Sequence, residues 1–248
     1  MQGKYETTFE RTKIGILCAG DGEVLPFLQR IDGCSVSEKA MLKFYSGRMA
    51  GMDIVTLFSG VCKVNAAIAA QILIDTYGCG AIINAGTAGG MDARLGLFDI
   101  VVSEETAYHD VGEDILTEFH PWLKSVWFPA SSSLLAAARR AAAQIATARR
   151  VVFGRMVTGE KFIADEERET INARFAPLST DMETASVAHV CYVNAVPFLS
   201  VRTITDTADH SGIAAFEANC DKASQISADF VCAVLRELGG ENRLSISS

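Results

Sequence analysis

Three carboxylates fall at the carboxyl ends of predicted strands, the place where ligand sites form in open α/β sheets. Residues 14–19 run into Gly20-Asp21-Gly22-Glu23, residues 178–181 deliver Met182 and Glu183 to the start of a helix, and residues 198–205 end at Asp206. A fourth run, 81–85, leads into Gly86-Thr87-Ala88-Gly89-Gly90. Carboxylates accept hydrogen bonds and carry protons, and glycines let a ligand approach the backbone closely. Three acidic groups and a glycine-rich turn on one sheet edge therefore point to a functional site. Each piece also has a plainer reading. Glu183 suits the first turn of a helix through its dipole, Asp206 suits a turn or cap, and residues 86–90 suit a tight strand–helix turn.

Other chemistries find little support. Gly20-x-Gly22 is followed by Leu25 where a dinucleotide fingerprint needs its third glycine, and no Gly-Lys-Ser/Thr P-loop occurs. No Gly-x-Ser-x-Gly elbow is present. His109, His120, His189 and His210 are scattered without metal-ligand spacing, so neither a metal nor a cofactor is expected. Tyr108-His109-Asp110 invites a proton relay but reads more simply as a structural His–Asp contact.

The elements that must position these groups follow an α/β pattern. Strands are predicted over 14–19, 44–49, 53–58, 81–85, 99–103, 151–157, 178–181 and 198–205. Helices are predicted over 23–30, 64–77, 134–148, 166–174, 184–193 and 216–238. Several strands carry Val, Ile and Leu without alternation, as when helices cover both faces of a sheet. The expected fold is a three-layer α/β/α domain over residues 13–238 with a mostly parallel mixed sheet. Residues 1–12 read as an extension and 239–248 as a polar, frayed tail. Residues 110–130, with both tryptophans (Trp122 and Trp127), fit neither period and read as a lid or as a packing or subunit-contact surface.

Composition bounds the class. Of 248 residues, 49% are hydrophobic and 21% charged, with 20 Gly and 5 Pro, which excludes disordered and fibrous chains. A net charge of −8 argues against a nucleic-acid partner. No apolar run reaches the ~18 residues of a membrane span. Lys4, Glu6, Glu10, Arg11 and Lys13 leave no room for a secretory signal. Seven cysteines without regular spacing read as reduced, buried thiols of a cytoplasmic protein.

Longer strings carry a resemblance. Lys13-Ile-Gly-Ile with Glu23, Ser59-Gly-Val-Cys-Lys-Val-Asn-Ala-Ala, Ile83-Asn-Ala-Gly-Thr-Ala-Gly-Gly and Asp99-Ile-Val-Val-Ser come first. Thr158-Gly-Glu-Lys-Phe-Ile, Asp181-Met-Glu-Thr-Ala-Ser-Val-Ala-His-Val-Cys and Val201-Arg-Thr-Ile-Thr-Asp follow. Together they resemble, in order and over nearly the whole chain, the methylthioadenosine/S-adenosylhomocysteine nucleosidases of the purine nucleoside phosphorylase superfamily.

That resemblance implies hydrolysis of the N-glycosidic bond of an adenine nucleoside, without cofactor, in a homodimer. It implies that Asp206 protonates purine N7, that Glu23 activates water near Arg202, and that Glu183 holds the ribose diol. It places Met182 against the sugar, Phe162 on the adenine, the backbone of Ile163 at the base edge and Thr87 where many relatives have Ser. Val61 and Phe216 are carried over as further substrate-binding positions. Two departures stand out: Gly20 replaces the methionine of the bacterial enzymes, which would enlarge or soften the sugar side, and the segment after Asp110, which in the family closes over the 5′ substituent, differs. Rival readings are a phosphorylase, a sibling nucleosidase for 6-amino-6-deoxyfutalosine or 5′-deoxyadenosine, and a non-catalytic nucleoside-binding domain. Against the phosphorylase stand Asn84, where an arginine would be expected, and Glu23, whose charge would repel phosphate.

Overall fold

The computed structural model describes residues 9, 12–119, 123–145, 149–163, 165–207 and 213–244. The chain opens with β1 (Lys13–Cys18), α1 (Asp21–Leu28), β2 (Asp32–Lys39), β3 (Leu42–Met49) and β4 (Met52–Phe58). It continues through α2 (Lys63–Asp75), β5 (Cys79–Gly90), β6 (Ile100–Tyr108), α3 (Glu113–Glu118), β7 (Phe128–Pro129) and α4 (Ser132–Ile145). The last part holds β8 (Val151–Thr158), α5 (Asp165–Phe175), β9 (Ser179–Asp181), α6 (Thr184–Val193), β10 (Phe198–Asp206) and α7 (Ile213–Leu244).

The strands form one mixed sheet in the order β10-β6-β8-β9-β5-β1-β4-β3-β2, and β10 also pairs with β5. That extra pairing closes β5, β10, β6, β8 and β9 into a ring, from which β1 to β4 extend as an open sheet. The 12-residue β5 belongs to both parts: its start pairs with β1, its middle with β10, and Gly89 and Gly90 with β9.

Period-two alternation divides the core. Ile14, Ile16, Ala81 and Ile83 pack toward Phe27 of α1, Leu134 and Ala138 of α4, and Phe230 and Leu235 of α7. Leu17, Val55, Leu57 and Ile82 face Ala66, Ala70 and Leu73 of α2 and Val187 and Cys191 of α6. Helices therefore cover both faces, the expected three-layer α/β/α arrangement.

Several elements depart from the sequence reading. β5 does not stop at residue 85 to turn. It continues to Gly90, because β10 pairs with it from Ile82 through Gly89 and the glycines leave room for side chains from other elements. β6 likewise runs on to Tyr108, held by parallel pairing with β8. β2 is absent from the expected strands because all eight of its residues are exposed, so burial imposes no apolar pattern on them. Its hairpin to β3 turns through Ala40 and Met41, both at positive φ, without the Asn or Gly that usually marks such a turn. α7 continues six residues past its predicted end to Leu244, with Gly239 packed near Met52.

Within the segment 110–130, α3 and β7 form, and Trp127 packs edge-on to Phe175 at 5.9 Å with Arg155 over its ring. His120, Pro121 and Trp122, residues 146–148, His210 and most of residues 1–12 lie outside the described residues. The thiol reading holds in part: Cys18, Cys79, Cys191 and Cys232 are buried, but Cys34 is exposed and Cys62 and Cys220 are half-buried. No described helix is long and apolar enough to cross a membrane.

Candidate active site

A cavity of about 450 Å³ opens where β1, β5, β9 and β10 end and α1, α6 and α7 approach them. Glu23, Val61, Thr87, Phe162, Ile163, Met182, Glu183, Arg202, Asp206 and Phe216, the site residues that the resemblance implies, border it. They come from seven separate stretches of chain, which the fold gathers at one sheet edge.

Glu23 sits in the first turn of α1, and both of its oxygens are occupied. Ala19 N and Gly20 N donate to Oε2 at 2.8 and 3.1 Å. Thr87 N and Oγ1 donate to Oε1 at 2.7 and 2.9 Å. The carboxylate thus links the start of α1 to β5. A Cβ at Gly86 would lie 2.3 Å from Glu23 Oε1, so glycine there is what lets the acid lie against the strand.

Asp206 ends β10, buried, with Thr205 Oγ1 donating to its Oδ1 at 2.9 Å. Its Oδ2 stands 3.0 Å from where a Cβ of Gly89 would be, so this glycine too makes space for a carboxylate. Burial raises the Asp206 pKa above the ordinary carboxylate range, while Thr205 and the charge of Arg168 pull it down. A raised value suits a group that must hold a proton and then release it.

Glu183 caps the start of α6 and is buried. Cys62 N donates to its Oε1 at 3.0 Å, and Arg202 Nη2 lies 3.4 Å from its Oε2. Burial pushes the Glu183 pKa up to about 7 against the pull of Arg202. Asp181 serves this helix start more directly: its Oδ1 accepts from Glu183 N at 3.1 Å and Thr184 N at 3.0 Å. The plainer helix-terminus role predicted for Glu183 thus falls chiefly to Asp181, which leaves the Glu183 carboxylate facing the cavity.

Arg202 is buried at 1% exposure and tied on every side. Its Nε lies 3.2 Å from Asp181 Oδ2, its Nη2 donates to Asn84 Oδ1 at 2.6 Å, and its Nη1 donates to Thr87 O at 3.2 Å. Burial works against its charge, but Asp181, Glu183 and Glu23 more than offset that and raise its pKa. Asn84 anchors the guanidinium from below, since its Nδ2 also donates to Leu17 O at 2.9 Å.

The apolar wall is assembled from three places. Phe162, 40% exposed, stands edge-on to Phe216 of α7 at 6.5 Å, and Ile163 beside it is buried. The loop carrying them is fastened by Asp110, which accepts from Glu160 N at 2.9 Å and from Lys63 Nζ at 2.9 and 3.0 Å. Asp110 is thus engaged with Lys63 rather than with a histidine relay. His109 packs against Gly159, and its Nε2 is without a partner. At Gly20 the wall is set back: nothing lies within 4 Å of where its Cβ would be.

Arg168, Thr205 and Cys220 also border the cavity, and sequence reasoning does not single them out. Arg168 lies in the run Asp-Glu-Glu-Arg-Glu, which reads as a solvated helix face. Cys220 follows Phe216 by one helical turn, the only hint that it shares that face. Among the described residues no group of His, Cys, Asp and Glu could hold a metal ion.

Residues 13–236 match the family model described as Phosphorylase superfamily. A 5′-methylthioadenosine/S-adenosylhomocysteine nucleosidase of Shewanella halifaxensis is 34% identical over 91% of this chain and all of its own. One of Halalkalibacterium halodurans is 35% identical over 92% of this chain, again along its full length. Among solved structures, the nucleosidase of that name from Colwellia psychrerythraea, in complex with adenine, superposes with a TM-score of 0.85 at 32% identity, covering 94% of this chain and 98% of its own. A futalosine hydrolase of Helicobacter pylori superposes at 0.83 with 27% identity, covering 92% and 98%.

Proposed function

The chain belongs to the phosphorylase superfamily, alongside methylthioadenosine/S-adenosylhomocysteine nucleosidases that it matches along their whole length, and on that premise we propose how its residues divide the work. It is a hydrolase of the N-glycosidic bond of adenine nucleosides. Adenine is a poor leaving group as an anion, so Asp206 passes its proton to purine N7 as the C1′–N9 bond breaks and the bonding pair moves to the base. Water attacks C1′, and Glu23 takes its proton. Adenine and a free 5-thio-substituted ribose leave. Each positioned acid or base is worth ~10²–10⁴-fold.

Glu183 accepts hydrogen bonds from the ribose 2′ and 3′ hydroxyls, and its negative charge stabilises the cationic sugar of the transition state. Arg202 holds Glu183 and stands near the water. Met182 packs on the sugar, Phe162 stacks on the adenine, and the Ile163 backbone meets the base edge. Thr87 holds Glu23 in place, while Val61 and Phe216 form the 5′ side. The observation that carries this reading is the convergence of Glu23, Glu183 and Asp206 on one cavity, two of them fitted against glycines whose Cβ atoms would collide with or crowd them. It is tested by adenine release from 5′-methylthioadenosine. The wild type releases adenine and Asp206→Asn, still folded, does not; equal rates refute the acid.

The space in front of Gly20 and the futalosine hydrolase neighbour favour a second substrate reading with the same chemistry. There the 5′ thioether is replaced by a bulkier or more polar group, such as that of 6-amino-6-deoxyfutalosine. Comparing kcat/KM for the two nucleosides decides between them.

We further propose a cytoplasmic homodimer. Val64 and Ile68 on α2, Ile115 on α3, and Phe119 and Val193 are large apolar side chains left exposed, which a partner copy would cover. Light scattering at twice the chain mass supports the dimer, and a monomer refutes it.

A further inference from the structure

Three cations border the cavity: Arg202, Lys161 and Arg168. Two are spoken for. Arg202 is held by Asp181 and Glu183, and Lys161 is paired with Glu167. Arg168, in the first half of α5, is different. It is buried at 6% exposure, yet among the described residues no carboxylate pairs with it. Its Nη1 donates to the Gly90 carbonyl and lies 3.6 Å from Met91 Sδ, and its Nε has no hydrogen-bond partner.

A guanidinium taken out of water with one carbonyl and a thioether for company is costly unless a negative charge arrives to meet it. The backbone shows where that charge would arise. Gly90 follows Gly89, and Gly89 is the register partner of Asp206, whose Oδ2 crowds the same strand. Arg168 is therefore anchored one residue from the strand position that Asp206 faces. The other charges on this cavity come from α1 (Asp21, Glu23), from β9 and the start of α6 (Asp181, Glu183), from β10 (Arg202), from the 159–163 loop (Lys161) and from α7 (Asp221). Of the cations, Arg202 is paired with Asp181 and Glu183 and Lys161 with Glu167, and the charge that acts on Asp206 is that of Arg168.

We propose that Arg168 is a positioning residue for the acid: its charge stabilises the carboxylate that Asp206 becomes once its proton has passed to the purine. This rests on the reading of Asp206 as general acid. While Asp206 is protonated the guanidinium has no charged partner, and as the C1′–N9 bond breaks it acquires one. The interaction is stronger in the transition state than in the ground state, which is the condition for raising kcat rather than lowering KM. It also balances burial: the low-dielectric site keeps the proton on Asp206, and Arg168 lets it leave.

The test compares Arg168→Met, Arg168→Lys and Asp206→Asn with the wild type, using 5′-methylthioadenosine across a pH series. Arg168→Met should lose about tenfold to a hundredfold in kcat, part of the ~10²–10⁴-fold that general acid catalysis supplies, with KM changed little. Its basic limb should move to higher pH, because the cation that eases proton loss from Asp206 is gone. Arg168→Lys, which keeps the charge, should recover most of the rate. Unchanged kcat and pH profile in Arg168→Met, or a rise in KM alone, overturns the proposal. If Arg168→Met does not fold, Arg168→Gln replaces it, and equal kcat in Arg168→Gln and Arg168→Lys overturns the proposal as well. An inactive Asp206→Asn beside an unaffected Arg168→Met removes this role alone, whereas an active Asp206→Asn removes the acid and this role with it.

Discussion

Glu183 Oε2 and Arg202 Nη2 face each other at 3.4 Å, both almost without solvent contact, at the bottom of the cavity. The arginine is shared with Asp181, so it neutralises Glu183 only in part, and burial still pushes the Glu183 pKa up to about 7. The site thus holds an acid close to changing its charge, and a cationic sugar would settle it in the ionised form.

A pH dependence follows. A carboxyl raised on folding from 4.5 to about 7 binds its proton more tightly in the folded chain, so its contribution to stability is full below about pH 4.5 and is lost as pH rises through about 7. The Tm of the ligand-free protein should fall across that window, and Glu183→Gln should flatten the fall. A nucleoside analogue with a cationic ring in place of ribose should bind more tightly as pH rises to about 7 and then level off. A pH-independent affinity over that range would count against the ionised Glu183.

Gly86→Ala tests the fit between β5 and Glu23, the proposed base. The new Cβ would stand 2.3 Å from Glu23 Oε1 and 2.6 Å from its Cδ, so the carboxylate must leave donors that now hold it. Kinetics should show kcat reduced at least about tenfold. Denaturant unfolding should show a loss of about 1–3 kcal/mol from buried donors left unsatisfied. Full activity in a stable Gly86→Ala would mean that Glu23 does not have to lie where it does.

Asp110→Asn tests the loop that carries Phe162. It weakens the hold on Lys63 and on the Glu160 backbone without touching the cavity. KM should rise a few-fold with kcat nearly unchanged, because Phe162 is less well held while Glu23 and Asp206 stay in place. A fall in kcat with constant KM would point instead to a role in the chemistry.

How much of the fold and site is legible in the sequence depends on what constrains each residue. Glu23 and Asp206 follow strands marked by apolar residues, and Glu183 follows a short strand set just before a helical pattern, so their shared edge can be read from the residues alone. The predicted span of α6 matches the helix residue for residue, since its apolar positions are bounded by Asp181 and the turn at Ala195. β2 leaves no trace because solvent selects none of its side chains. The extension of β5 through Gly86–Gly90 is hidden for another reason: glycines that usually signal a turn here serve close approach by Glu23 and Asp206, and that depends on partners distant in sequence. Arg168 reads as one more exposed charge, since its burial comes from the packing of α5 against Met91, Ala107 of β6 and Val157 of β8 and not from any periodicity of its own.

In the proposed reaction this site uses water, activated by Glu23, to release adenine protonated by Asp206. The most direct measurement is product analysis with 5′-methylthioadenosine in ¹⁸O-enriched water, with and without phosphate. Hydrolysis should give adenine and free methylthioribose, with the label at C1 of the sugar and a rate indifferent to phosphate. A sugar 1-phosphate, formed only when phosphate is present, would contradict it.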